Sequence, residues 1–146
     1  EERLSRLDIE IELRPELTGK TSQFGSLEEL ISLTKNVNSC QPCLDFSHLY
    51  ARTGEYNTEE EFNTLLDRLN GELGNNCLDN MHIHISGISS NSKGDLKHLN
   101  LESSSFNWKG LLNSLKGRGC KGYIICNSPN LEKDAMMLKD YYMTLH

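Results

Sequence analysis

The sequence predicts an α/β domain built on a parallel sheet. Its 146 residues are enough for one domain and too few for two ordinary ones. Strand-like and helix-like segments alternate four times, which predicts parallel strands joined by right-handed crossovers. Ionisable residues follow the predicted strands, and the carboxyl ends of parallel strands meet on the side of the sheet where such folds place their sites.

The first two units are defined by alternation and by capping signals. Residues 7–15 alternate apolar and charged side chains up to a proline, which predicts a strand. A helix follows from Ser26, and Glu29 three residues later completes the pattern of a capping box. Residues 40–46 form the second predicted strand, and the acidic start of residues 57–74 predicts its helix.

The last two units follow the same order. Residues 80–88 are strongly strand-like, and residues 107–119 form a modest helix. Residues 122–129 are a strand ended by a proline, followed by a helix over residues 131–145. Residues 86–105 are expected to be a long loop. Because long loops in compact domains are often functional, we expect a role for it.

Composition narrows the function classes. The formal net charge is −6, which disfavours broad, non-specific phosphate binding. No apolar run approaches the roughly 20 residues of a membrane span, and the start lacks a signal pattern. The five cysteines have no framework spacing. We therefore expect a cytoplasmic protein with reduced thiols and no membrane partner.

Polar residues collect after the predicted strands in a pattern that suits a metal ion. Two or three histidines with two carboxylates form a ligand set for Zn²⁺, Mn²⁺ or Fe²⁺. Each residue alone has a simpler interpretation: Asp45 could cap a turn, and His84 could be a core histidine. Their coincidence at matching strand ends favours a metal site built from Glu16, Asp45, His48, His82, His84 and His98, with Asn127 nearby.

Other side chains have weaker signals. Cys40 and Cys43 have redox-motif spacing, but they lie within a predicted strand and not at a helix N-terminus, so we interpret Cys43 as core packing. Lys20, Arg52 and Lys97 are candidates for phosphate contacts, although exposed lysines are usually only solvated.

The segments around the strand ends resemble the endonuclease IV family, the metal-dependent apurinic/apyrimidinic endonucleases of base-excision repair, and its archaeal-type branch in particular. The matching segments occur in the family's order and cover nearly the whole chain: LRPELTGK, PCLDFSHLYAR, NMHIHISGI, KHLNLESSSFNWKGLL and ICNSPNLEKDAMMLKDYY. The resemblance implies that residues 1–146 form one domain, half of a (β/α)₈ barrel with four β-α units that correspond to strands 5–8.

The resemblance also implies a zinc cluster and its ligands. Glu16 matches the glutamate after the fifth strand, Asp45 and His48 match the Asp-x-x-His after the sixth, and His98 matches the loop histidine. His82 matches the histidine ligand of the seventh strand, and His84 takes a position outside the metal's ligands. The implied activity is zinc-dependent (alternatively manganese-dependent) cleavage of DNA on the 5′ side of an abasic site.

Three features depart from the family pattern. The chain lacks the first four units with their two histidine ligands, so its expected partners are abasic DNA and either the missing half or a second copy. The resemblance implies that Glu16 and Asn127 are the catalytic positions. Asn127 replaces a bridging glutamate there, and a neutral amide cannot act as a base. Asp95 lies three residues before His98 instead of two.

The sequence thus supports two main hypotheses and one variant. The chain is either half of a metal-dependent phosphodiesterase, inactive alone, or a degenerate, non-catalytic relative. A xylose-isomerase-like protein on the same barrel is the variant.

Overall fold

A parallel sheet organises the molecule. The computed structural model describes residues 11–146, so residues 7–10 of the first predicted strand lie outside the described part. Strands β1 (Cys43–Asp45), β2 (Met81–Ile85) and β5 (Gly122–Cys126) are parallel and adjacent in that order. Parallel bridges from Leu13 to Cys40 and from Glu16 to Cys43 place the end of the first predicted strand beside β1. The four units therefore lie side by side in chain order, as in a partial barrel.

Helices connect these strands, and a hairpin interrupts the third connection. The hairpin is formed by β3 (Gly87–Asn91) and β4 (Gly94–Leu99), followed by a 3₁₀ turn, Leu101–Ser103. The helices are α1 (Leu27–Asn36), α2 (Phe46–Thr53), α3 (Glu59–Leu73), α4 (Asn76–Asp79), α5 (Trp108–Gly117) and α6 (Glu132–Thr144). None of these helices within residues 11–146 is long and apolar enough to cross a membrane.

Capping boxes start two of the helices where the sequence predicts a helix. The Ser26 hydroxyl accepts a hydrogen bond from the backbone N–H of Glu29, and the Glu29 carboxylate accepts one from the backbone N–H of Ser26. Thr58 and Glu61 make the same reciprocal pair at the start of α3. These pairs satisfy N–H groups that the first helical turn leaves free, so they define both starting points locally.

The two faces of β2 differ in chemistry. Met81, Ile83 and Ile85 are buried, whereas His82 and His84 between them are half-buried. Successive strand residues point to opposite faces. The apolar face therefore packs against the helices, and the face with His82 and His84 points away from them. The core beneath the apolar face includes Phe46, Leu49, Phe62, Leu65, Leu66, Leu69, Leu111 and Leu112.

The expectation of a long loop over residues 86–105 is wrong for most of this segment, since residues 87–99 form the β3–β4 hairpin. The turn of this hairpin has no Asn-Gly or Asp-Gly pair, which is the strongest short hairpin signal. The sequence therefore does not indicate a hairpin here. Gly94 has a φ of 108°, and a side chain there would collide with the carbonyl oxygen of Gly19. Contact with the segment after the first strand therefore helps to fix the hairpin's position.

Strand β5 is the exposed side of the sheet. Among residues 11–146 it pairs with β2 alone. Tyr123 is 72% exposed, and Ile124 and Ile125 are also exposed. A cavity of about 450 Å³ opens between β5, α5 and α6, lined by residues such as Ile124 and Leu138. An edge of this kind is what half of a barrel would leave open.

A buried carboxylate ties α6 to the turn after the hairpin. Asp134 accepts hydrogen bonds from the backbone N–H of Leu101 at 2.7 Å and from the side-chain amide of Asn130 at 2.8 Å. Burial acts to raise the pKa of Asp134, but these hydrogen bonds outweigh it and hold the pKa below its ordinary value. The ionised carboxylate is therefore the form that the fold favours.

We expect Asp134→Asn to lower the free energy of unfolding at neutral pH by about 1–3 kcal/mol. The asparagine NH₂ would face the N–H donor of Leu101 or Asn130, where Asp134 offers an acceptor. A depressed folded pKa gives stability that is present above the unfolded value of about 3.9 and is lost as pH falls through the folded value. Urea unfolding against pH should show a weaker acid dependence in the variant. Asp140→Asn, at an exposed position on the same helix, is the control. An equal loss in both variants would contradict the role of Asp134.

Candidate metal centre

The carboxyl end of the sheet brings Glu16, Asp45 and His84 together. Asp45 on β1 lies opposite His84 on β2 in the parallel register, and Glu16 follows the first strand on the other side of β1. One potential ligand atom from each of the three lies within 4.8 Å of the others. The Oε1 atom of Glu16 is 2.7 Å from Nδ1 of His84. Two carboxylates and an imidazole thus converge where the sequence predicts a metal site.

Asp45 has one occupied and one unpaired oxygen. It is the N-cap of α2, and its Oδ1 accepts a hydrogen bond from the backbone N–H of His48 at 2.8 Å. Its Oδ2 is buried and accepts no hydrogen bond from residues 11–146, although it lies 3.2 Å from Nδ1 of His48. Burial raises the pKa of the Asp45 carboxyl, and positive charge at His48 opposes that rise. A buried carboxylate oxygen without a partner is costly, and a cation beside it would remove that cost.

His48 and His98 meet on the same side of the sheet. The hairpin carries His98 to α2, so that the two Nε2 atoms are 3.1 Å apart. Nδ1 of His48 is 3.3 Å from the carbonyl oxygen of Leu17, and Nδ1 of His98 is 3.1 Å from that of Asn127. Carbonyl oxygens only accept, so we assign a proton to Nδ1 of both rings. In the neutral rings, both Nε2 lone pairs then face each other.

Two facing lone pairs repel each other, and a hydrogen atom or a metal ion between them would remove this repulsion. A proton would serve and would make one ring cationic, whereas a metal ion would serve both neutral rings. Two nitrogens bound tetrahedrally at the Zn–N distance of about 2.0–2.1 Å lie roughly 3.3 Å apart. The observed separation of 3.1 Å is close to that value. The two Nε2 atoms therefore fit a zinc-like ion in their donor chemistry and spacing.

Asn127 connects both groups of histidines. Its backbone N–H donates to the carbonyl oxygen of Ile85 at 2.9 Å, which extends the β2–β5 pairing. Its backbone carbonyl accepts from His98, and its side-chain amide lies 3.2 Å from Nδ1 of His84. The shorter contact with Glu16 assigns the His84 proton to Nδ1, so the amide fits with its carbonyl oxygen toward the ring. Asn127 thus orients two imidazoles without contributing charge.

The two histidines of β2 differ in their neighbours. His84 is grouped with Glu16 and Asp45, whereas His82 is grouped with Cys43 and His84. The resemblance assigns the ligand role to His82 and leaves His84 outside the ligands, and the geometry favours His84 beside the two carboxylates. Burial, followed by the charge of His84, lowers the pKa of His82. The register that pairs His84 with Asp45 distinguishes the two, and it is not visible in the sequence.

The three candidate phosphate ligands have different surroundings. The guanidinium of Arg52 donates to the carbonyl oxygens of Thr18, Lys20 and Gln23, so it anchors the segment after the first strand. Lys20 and Lys97 are exposed. Asp95 packs against Gly19, which explains how the hairpin meets that segment.

We expect Asp45→Asn to separate stability from metal binding. Asparagine caps a helix as well as aspartate does, and it removes a buried charge. The stability of the metal-free variant should change by no more than about 1 kcal/mol, because loss of the buried charge is offset by an NH₂ that faces Nδ1–H of His48, while its zinc affinity falls. Urea unfolding and zinc titration measure the two effects. Glu16→Gln, at a more exposed carboxylate, should lower zinc affinity with little change in stability. A destabilised Asp45→Asn variant with unchanged zinc affinity would argue against this role for Asp45.

Comparison with known proteins identifies the family. A family model described as xylose isomerase-like TIM barrel matches residues 2–141, and this family includes endonuclease IV and often binds metal ions. An uncharacterized protein of Methanocaldococcus jannaschii is 41% identical over 145 residues, which are 99% of this chain and 53% of that protein. The chain thus spans about half the length of this curated relative. The parallel strand order and the possible metal ligands at the carboxyl end of the sheet agree with the family match. The family match shows that the chain belongs to the xylose isomerase-like TIM barrel family.

Proposed function

We propose that the chain supplies the second half of a metal-dependent phosphodiesterase that acts on abasic sites in DNA. The observation that carries this proposal is the convergence of Glu16, Asp45 and His84 beside the His48–His98 pair. The family match and the resemblance to endonuclease IV support the choice of a phosphodiester as the substrate.

The proposed ligands would bind a metal cation at the carboxyl end of the sheet. Glu16 and Asp45 supply charged oxygens, and His48 and His98 supply imidazole nitrogens, while His84 contacts Glu16 through Nδ1. Mixed nitrogen and carboxylate ligands suit zinc, whereas manganese prefers sites richer in oxygen. When bound there, zinc would lower the pKa of a coordinated water and offset charge on a phosphate.

The other residues of this region position and bind. Asn127 holds His98 through its backbone carbonyl and His84 through its side chain, which keeps both rings oriented. Arg52 holds the segment that carries Lys20 in place. Lys20 and Lys97 are exposed, and their charges suit the backbone phosphates of DNA.

We propose that β5 is completed by the first four units of the barrel, with a second copy as the substitute when they are absent. The exposed apolar residues of β5, its single pairing within residues 11–146 and the coverage of about half of the relative support this partner. A parallel strand added at β5 would cover its free hydrogen-bonding groups.

Self-association of the chain alone should therefore depend on β5. We expect Tyr123→Lys to shift the chain toward the monomer, because it removes an exposed apolar side chain and adds charge at the edge. Sedimentation velocity over a range of concentrations measures the shift. Met143→Lys, at a residue that is 74% exposed on α6, is the matched control. A compact, cooperatively unfolding monomer for the unaltered chain would contradict the proposal.

Cleavage should require both halves. We expect no detectable nicking of an abasic duplex by the chain alone with added zinc, because Asn127 contributes no charge among the cations. Loss of several kcal/mol of barrier stabilisation at about 1.4 kcal/mol per tenfold would place the rate below detection. Asn127→Glu should raise zinc affinity, and nicking should appear when it is combined with a segment that supplies the other four units.

Matched substrates and variants make this experiment selective. His48→Ala should lower zinc stoichiometry, and an intact duplex should not be cut. Robust nicking by the unaltered chain alone would show that neither Asn127 nor the missing half limits the reaction. No nicking by the combined halves, despite bound zinc, would favour a non-catalytic or sugar-isomerase-like protein.

A further inference from the structure

A second group of potential ligands lies one layer deeper in the sheet than Glu16, Asp45 and His84. Cys43 on β1 is directly opposite His82 on β2, two residues before the pair formed by Asp45 and His84. Side chains at paired positions of parallel strands point to the same face. One ligand atom each from Cys43, His82 and His84 lies within 4.8 Å of the others. The group therefore stacks a thiol and an imidazole beneath the carboxylate layer.

The surroundings of Cys43 differ from those of an ordinary core cysteine. Cys43 is 3% exposed. Burial, together with the negative charges of Glu16 and Asp45, raises the pKa of its thiol to about 12. Without an ion the sulfur is thus a neutral thiol beside two histidines. Cys40 is also buried and free, but it belongs to no ligand group found among residues 11–146. The histidine neighbours, rather than burial, set Cys43 apart.

The rings of this group are already close. The ring centroids of His82 and His84 are 5.3 Å apart in an edge-to-face arrangement. Nδ1 of His84 contacts Glu16, so we assign its other ring nitrogen, Nε2, to the deeper group. A thiolate at about 2.3 Å and imidazoles at about 2.0–2.1 Å from a tetrahedral ion would lie roughly 3.3–3.6 Å from each other. Small side-chain rotations would close the present separations to that range.

We propose that Cys43, His82 and His84 form a thiolate-containing site for a Zn²⁺-like ion, distinct from the carboxylate site and linked to it through the hydrogen bond that Nδ1 of His84 donates to Glu16. Binding forms one metal–sulfur and two metal–nitrogen bonds, and the thiol proton of Cys43 leaves to solvent. Sulfur with two imidazoles is a ligand set for zinc or cobalt and is poorly suited to magnesium or calcium. The site does not depend on abasic DNA being the substrate.

Cobalt substitution tests this site through its spectrum. Addition of Co²⁺ to the metal-free protein should produce a thiolate-to-cobalt charge-transfer band in the near ultraviolet. The band should be absent in Cys43→Ser and present in Cys40→Ser, the matched buried cysteine. Glu16→Gln should also keep the band, because the sulfur ligand remains, even though the variant replaces the carboxylate that contacts Nδ1 of His84.

A second variant leaves the sulfur in place. His82→Gln should weaken Co²⁺ binding, followed through the same band, by at least the roughly ten- to hundredfold that loss of an outer-shell partner costs. Far-ultraviolet circular dichroism checks that each variant is folded. No band in the unaltered protein, a band that persists in Cys43→Ser, or unchanged cobalt affinity in His82→Gln would overturn the proposal.

Discussion

The parallel register between β1 and β2 is the constraint on which the candidate site depends. It sets Cys43 against His82 and Asp45 against His84, so each layer of the sheet holds one residue from each strand. A shift of one residue would turn Asp45 toward the helices and remove the convergence, because neighbouring strand residues face opposite sides. Apolar residues of both strands prevent such a shift, since Leu44 on β1 and Ile83 opposite it on β2 must remain in the core. Hydrophobic burial on one face thus positions polar chemistry on the other.

Asp45 joins local structure to the site. Its Oδ1 starts α2, and the same helix carries His48 one turn later, so capping and ligand placement share one residue. The second oxygen remains buried without a hydrogen bond from residues 11–146, which is a cost that an ordinary capping residue at a surface would not have. The burial that raises the pKa of this capping carboxyl distinguishes Asp45 from a surface cap and marks it as a candidate site residue.

The hairpin and the segment held by Arg52 give the site its outer wall. Gly94 approaches Gly19 closely, and Arg52 gathers the carbonyl groups of residues 18–23. These contacts place His98 against His48, and the carbonyl of Asn127 sets the ring of His98. The opposite side of the molecule is less complete, since β5 exposes apolar side chains that a further strand would cover. The candidate site residues are therefore held in place by several contacts, while the sheet remains open at one edge within residues 11–146.

The sequence by itself determined the alternation of strands and helices, because periodicity and capping are local properties. The capping box at Ser26, the start of α3 and the three parallel strands β1, β2 and β5 were all predictable in this way. It also predicted which residues follow the strand ends, and the family confirms the partial barrel. The β3–β4 hairpin was not predictable, since its turn has a weak signal and its position depends on distant contacts. Which of His82 and His84 lies beside Glu16 and Asp45 was decided by tertiary structure, because strand register follows from packing the opposite face and not from the spacing of the histidines.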